Sequence, residues 1–449
     1  MNFKILNKIG IFLMVMSISS SFADSPQKGI FPYPFEEVIL ENGLTVVMIP
    51  MKNTGLVAYY SIVRTGSRDE VEPGHSGFAH FFEHMMFRGT KKYPGPVYDQ
   101  KLTEMGANAN AFTSNDVTCY HLTFAPEDLE KVIELESDRF QNLSYQEAEF
   151  KTEAGAILGE YLKGLSSPWM ILEETLCATA FEKHPYRHTT IGFKEDIEAM
   201  PTMYEYSQWF FKRYYRPDNG VLLLVGDFEV SRALQLIKTY YGNWEKGYVA
   251  PSIPQEPEQR ETRRKEAIFN GKTLPILCVA YKSPAFSPQE IEVPAFELAG
   301  ELLFGETSDF HKKLVLKEQR LEALYVDFNT LRDPYVGSIT ALVKQLSDVP
   351  EIEKEIERTI ALAKTQGIDP QKLEHLKSNE KYGFIMDLDT PEHVAQSLVR
   401  FLSLTGTMES VNTWYKTMEK VSPKEIQSVI EKYLSPQKKT VVLIKGKTP

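Results

Sequence analysis

The spacing of apolar and polar positions along the 449-residue chain separates strands from helices before any residue chemistry is considered. Short apolar runs predict strands at Val38 to Leu40, Leu44 to Ile49 and Ala58 to Val63, the first two joined by the turn signal Glu41-Asn42-Gly43. A helical period predicts helices over Asp99 to Met105 and from Glu149 to Tyr161, where Phe150, Ala154, Ile157 and Tyr161 form one stripe. Gly106 to Phe124 begins as a Gly/Asn-rich turn and ends in strand-like alternation. The run Gly77 to Thr90 predicts a short helix with Ser76 as N-cap and Gly89 as its stop; Phe78, Phe81, Phe82, Met85 and Met86 are its core side.

The pattern occurs twice. Phe210 to Pro217 leads into the apolar run Val221 to Val225, and Val429 to Pro436 leads into Val441 to Ile444; Pro126-Glu127 and Pro350-Glu351 repeat at a similar offset. Between the copies, Pro251, Pro254 and Pro257 mark a charged, extended linker. The expected architecture is α+β: two similar domains, each an antiparallel-rich sheet with helices mainly on one face. The expected boundaries are a signal peptide over 1–23, a first domain over 24–246, a linker over 247–265 and a second domain over 266–449. Lys4 and Lys8, the apolar stretch Ile9 to Met16 and Ser21-Phe22-Ala23 carry the signal-peptide expectation, and with it export to a bacterial periplasm.

The polar residues of the Gly77 to Thr90 helix need a separate explanation. His80 and His84 are four apart and share a face, so both imidazoles can reach one zinc ion, and Glu83 beside them can take a proton from water. Buried singly, each would need its own partner; one metal satisfies all three. The order is H-x-x-E-H, the inverse of the commoner zinc helix. A third ligand must come from elsewhere, and Glu153 and Glu160, seven apart on one edge of the Glu149 to Tyr161 stripe, are candidates for a supporting role and a ligand role respectively.

These residues resemble the inverzincin metallopeptidases, the family of pitrilysin, insulysin and the mitochondrial processing peptidase. Its pattern places a ligand Glu about 76 positions after H-x-x-E-H with another functional Glu seven before it; Glu160 and Glu153 match. The resemblance implies ligands His80, His84 and Glu160 for one Zn2+, Glu83 as general base, and Glu153 in a supporting catalytic role. It further implies that Asn110 and Ala111 lie on an edge strand that receives peptide substrate, and that four such domains from two chains enclose a chamber. The expected function is therefore a zinc endopeptidase acting on unfolded peptides, as a homodimer or with a related zinc-less subunit. The alternative is a non-catalytic binding or assembly subunit of a peptidase complex. Several members carry an Arg and a Tyr in the segment matching Leu314 to Val326. Here Val315 and Glu322 stand at those positions, leaving Tyr325, Arg332 or a second chain to supply the groups.

Charge changes the picture modestly. A formal net charge of −11, or −13 without Lys4 and Lys8, argues against nucleic acid. No later stretch is apolar and long enough for stable membrane insertion. Cys119, Cys177 and Cys278 lack paired spacing and are expected to be buried free thiols, and His184 is expected to serve its loop structurally.

Overall fold

The computed structural model describes residues 29–447. The predicted signal segment lies outside them. Two sheets organise the chain. The first contains β1 (Glu36–Ile39), β2 (Thr45–Pro50), β3 (Val57–Val63), β4 (Asn108–Thr113), β5 (Thr118–Phe124) and β6 (Gly220–Gly226), in the order β1-β2-β6-β3-β5-β4. The second contains β7 (Arg263–Phe269), β8 (Ile276–Lys282), β9 (Leu321–Asp327), β10 (Val336–Val343) and β11 (Lys439–Gly446), in the order β7-β11-β8-β10-β9. Only β2/β6 and β7/β11 pair in parallel. Without β1 the two orders superpose strand for strand, and the turns Pro217–Asn219 and Pro436–Lys438 introduce β6 and β11 at equivalent places. The sequence repeat is thus a duplicated mixed α/β unit. Strand β7 starts at Arg263, inside the segment expected to be linker.

Side chains alternate across each sheet, and both faces are buried. Val46, Met48, Tyr59, Leu222 and Leu224 pack under the first half's own helices. Val47, Ile49, Tyr60, Leu223 and Val225 face the other way, into a cluster with Val394, Ala395, Leu398 and Leu402 from helix Pro391–Thr405 of the second half. The reciprocal contact sets Leu172 and Ala180 of helix Pro168–Ala180 over Cys278, Ala280, Val442 and Ile444. Each half therefore lends one helix to the other's sheet. A fully buried aliphatic side chain contributes about 1.5–3 kcal/mol, so this exchange is a principal bond between the halves.

Polar groups at the seam follow the same reciprocity. Arg332 donates to the carbonyls of Arg64 (3.2 Å), Asp116 (3.2 Å) and Ser403 (2.9 Å). Asp333 accepts from Arg68 Nε (2.6 Å) and His184 Nε2 (3.0 Å), while His184 Nδ1 accepts from the Tyr186 amide, so His184 is a structural residue. The linker is fastened by Glu256, whose carboxylate accepts the amides of Glu182 (2.9 Å), Lys183 (2.9 Å) and His184 (3.1 Å). The three cysteines are free and buried. No described helix is long and apolar enough to cross a membrane.

Candidate metal centre

The helix carrying the two histidines spans Phe78–Met85. Its apolar residues insert into the first half's core, with Phe81 and Phe150 ring centroids 5.0 Å apart and Phe82 stacked on Phe210 at 5.4 Å. Gly89, at φ 86°, ends the short turn that follows it. Its start differs from the expectation. Ser76 does not cap it: the Ser76 hydroxyl donates to Asp196 Oδ2 (2.6 Å) and accepts from the Phe193 amide (2.8 Å). Gly77, at φ 91° and with Ile191 O only 2.5 Å from where a Cβ would stand, turns Ser76 away from the helix. Glu70 caps instead, accepting the amides of Gly77 and Ala79, both at 2.7 Å. Burial pushes its carboxyl up to about 8 against the pull of those two amides.

The second element is helix Glu147–Gly164, opened by a hydrogen bond from the Gln146 amide to Glu149 (2.6 Å). Phe150, Ala154, Ile157 and Tyr161 are buried as the stripe predicts, which turns the Glu153/Glu160 edge toward the histidines. Glu160 Oε2 lies 3.7 Å from His80 Nε2 and 3.5 Å from His84 Nε2. Among the described residues, these three form the sole His/Cys/Asp/Glu group whose ligand atoms converge, all within 4.8 Å. A tetrahedral zinc with bonds of about 2.0–2.2 Å sets its ligand atoms roughly 3.4 Å apart, so the donor set fits that ion in both spacing and chemistry.

Surroundings distinguish the two imidazoles. His84 Nδ1 donates to Glu153 Oε1 (3.0 Å), which leaves Nε2 as the free lone pair facing Glu160. That bond, outweighing burial, raises the His84 pKa and makes it the more basic donor. His80 Nδ1 is buried and has no hydrogen-bond partner among the described residues. Burial, then the neighbouring His84, lower His80 to about 4, keeping it neutral as a metal ligand must be. Glu153 itself is pushed up by burial, but hydrogen bonds from His84 and from Arg88 Nε (2.5 Å) outweigh that and hold it ionised below its ordinary range. It touches a ligand rather than the reacting position, which makes it a positioning residue. Glu83, one residue before His84, is shifted upward by burial, a shift opposed by nearby Thr113 and His84.

Asn110 and Ala111 lie on β4, the outermost strand of the first sheet, which packs against the histidine helix. The Ala111 amide is accepted by the Asn110 side chain (2.9 Å) instead of a neighbouring strand, which marks the free edge. In the second half, Val315 packs against the core and Glu322 pairs with Lys344 at 3.5 Å. Arg332 is no stand-in for the absent arginine, because its guanidinium is consumed by the seam carbonyls. Tyr325 is exposed on β9, edge to face with Trp169 at 5.3 Å. Sequence reasoning missed Glu70 and Arg88. Arg88 had a local signal, lying four residues after His84 on the same face.

The fold is a duplicated α/β unit, and one of its copies brings His80, His84 and Glu160 together. The chain belongs to peptidase family M16: the family profile described as Insulinase (Peptidase family M16) matches residues 46–193, and that described as Peptidase M16 inactive domain matches residues 204–380. It is 28% identical over 415 residues to the zinc protease PqqE of Helicobacter pylori, covering 91% of this chain and 92% of that one. It is 25% identical over 433 residues to the beta subunit of the mitochondrial-processing peptidase of Lentinula edodes, covering 92% and 90%. The crystal structure of a protease from Helicobacter pylori superposes with a TM-score of 0.86 at 27% identity, covering 92% of this chain and 99% of that one.

Proposed function

We propose that the chain is a zinc-dependent endopeptidase that cleaves unfolded peptides inside a chamber formed with a second chain. The observation that carries this reading is the convergence of His80 Nε2, His84 Nε2 and Glu160 Oε2 beside Glu83. Zinc bound by these residues supplies Lewis acidity, acidifying water and polarising a carbonyl. Glu83 takes the proton of the attacking water and returns it to the leaving amine. Glu153 fixes the ring of His84, and Arg88 fixes Glu153. The free edge of β4 at Asn110 and Ala111 accepts an extended peptide backbone as an added strand, an arrangement that reads any sequence through main-chain hydrogen bonds.

A second, related chain supplies the carbonyl-binding groups absent at Val315 and Glu322, and the assembly works in the periplasm after removal of residues 1–23. The names of the relatives, a zinc protease and a processing-peptidase subunit, support the peptidase reading; the intact ligand set weighs against a purely structural subunit. The test combines zinc content with hydrolysis of a quenched fluorescent peptide library by the mature chain and by Glu83→Gln. One zinc per chain in both proteins, with hydrolysis lost in the variant, is the expected result. Unchanged hydrolysis in the variant would overturn the assignment of Glu83.

A further inference from the structure

The second half holds a cavity of about 480 Å³ that the reaction does not use. It lies between helix Glu292–Phe304, the counterpart of the histidine helix, and helix Pro370–Met386, the counterpart of the Glu160 helix. Aligning Gly89 with Gly305 sets Phe81 opposite Glu297 and Met85 opposite Glu301. Where the first half closes its core with Phe81 and Met85, the second half stays open and carries carboxylates.

The walls divide by chemistry. Glu297 is neutralised internally: it pairs with Arg400 and accepts from the Thr330 hydroxyl (2.6 Å). Arg400 also lies over the rings of Phe286 (5.1 Å) and Trp414 (5.2 Å), so the fold already seats one guanidinium here between a carboxylate and aromatic faces. Glu301, Glu380 and Asp387 make no side-chain hydrogen bond or ion pair among the described residues. Phe384 and Tyr415, with ring centroids 4.8 Å apart, form an apolar wall beside them. Four carboxylates thus face one guanidinium. Burial, followed by the charge of Glu380, pushes Glu301 upward; burial, followed by Glu297, does the same to Glu380. Glu301 is half-buried, whereas Glu380 and Asp387 are exposed; an unpaired half-buried carboxylate costs stability, and the counterpart of Glu301, Met85, is fully buried, so the fold accepts apolar packing at that position.

We propose that this cavity is a second ligand site that takes an organic cation on an apolar stem, a guanidinium or alkylammonium, held by Glu301, Glu380 and Asp387 against Phe384 and Tyr415. An arginine or lysine side chain of an unfolded peptide and a free arginine-like small molecule share this chemistry. The peptide source rests on the peptidase reading; the site itself does not.

The test uses the full chain carrying Glu83→Gln, in which binding is measured without turnover. Calorimetric titration compares Nα-acetyl-arginine amide with its citrulline counterpart, and a short unfolded peptide containing one arginine with the same peptide containing citrulline. Arginine compounds should bind at least about tenfold more tightly than the neutral ones, and Glu301→Gln/Glu380→Gln should remove about tenfold while zinc content stays unchanged. Binding of the amide alone identifies the free small molecule as the source; binding of both identifies the peptide. Equal binding of arginine and citrulline compounds, or unaltered binding by the double variant, would overturn the proposal. The double variant should melt no lower than its parent, and the exposed Asp387→Asn serves as an independent substitution.

Discussion

The helix Phe78–Met85 and its counterpart Glu292–Phe304 occupy the same station in two copies of one fold and do opposite things with it. In the first, His80 and His84 project toward Glu160. In the second, Phe296 stands where His80 would and packs on Phe328 at 4.9 Å, while Gly300 replaces His84 and makes room for that ring. A Cβ on Gly300 would come within 2.3 Å of Phe328 Cγ. The metal position of the second copy is therefore filled by a phenyl ring. The backbone supplies only an address; convergence of three donors requires both the right residues and the absence of a competing apolar plug.

The largest expected break in this contrast is Glu83→Gln, which should lower peptide hydrolysis by about 10²–10⁴-fold with zinc content unchanged, read by fluorescent peptide cleavage and metal analysis. Next comes Glu153→Gln, which loosens the ring of His84: zinc affinity should fall by about 10–100-fold in competition with a chelator. Gly300→His places an imidazole in the second copy but drives it into Phe328, so thermal unfolding should show a loss of about 1–3 kcal/mol and no second zinc. The smallest effect concerns the seam. Burial pushes the Asp333 pKa up, but hydrogen bonds from His184 and Arg68 bring it down to about 2, below its ordinary value near 3.8. A depressed carboxyl contributes stability above its unfolded pKa and loses it as pH falls through the folded one. Asp333→Asn should therefore cost about 1–2 kcal/mol at pH 5–7, with the gap to wild type narrowing between pH 4 and 2 in denaturant titrations.

Much of the centre was readable because it is local. The pair His80/His84 and the stripe Phe150, Ala154, Ile157 and Tyr161 each follow from one helical period. Glu160 was fixed as a ligand by family spacing, since periodicity alone leaves Glu153 and Glu160 equally placed. What escaped was non-local. The capping carboxylate comes from Glu70, before the turn that Gly77 makes, whereas a cap is sought next to its helix. Arg332 looked free in sequence because its three carbonyl partners come from Arg64, Asp116 and Ser403, distant along the chain. Helices Pro168–Ala180 and Pro391–Thr405 show a similar limit: an apolar stripe says that a face is covered, not which sheet covers it.

The exchange of those two helices also sets a clock on biosynthesis. The first sheet is complete when Gly226 has been made, yet the helix that covers its outer face begins at Pro391. At roughly 5–20 residues per second the ribosome needs on the order of 8–35 s to supply it. If the sheet forms within that interval, Val47, Tyr60 and Leu223 present a bare apolar face; the chain must therefore be shielded by a holding chaperone or kept unfolded until Pro391–Thr405 is available, and the first half expressed alone should aggregate.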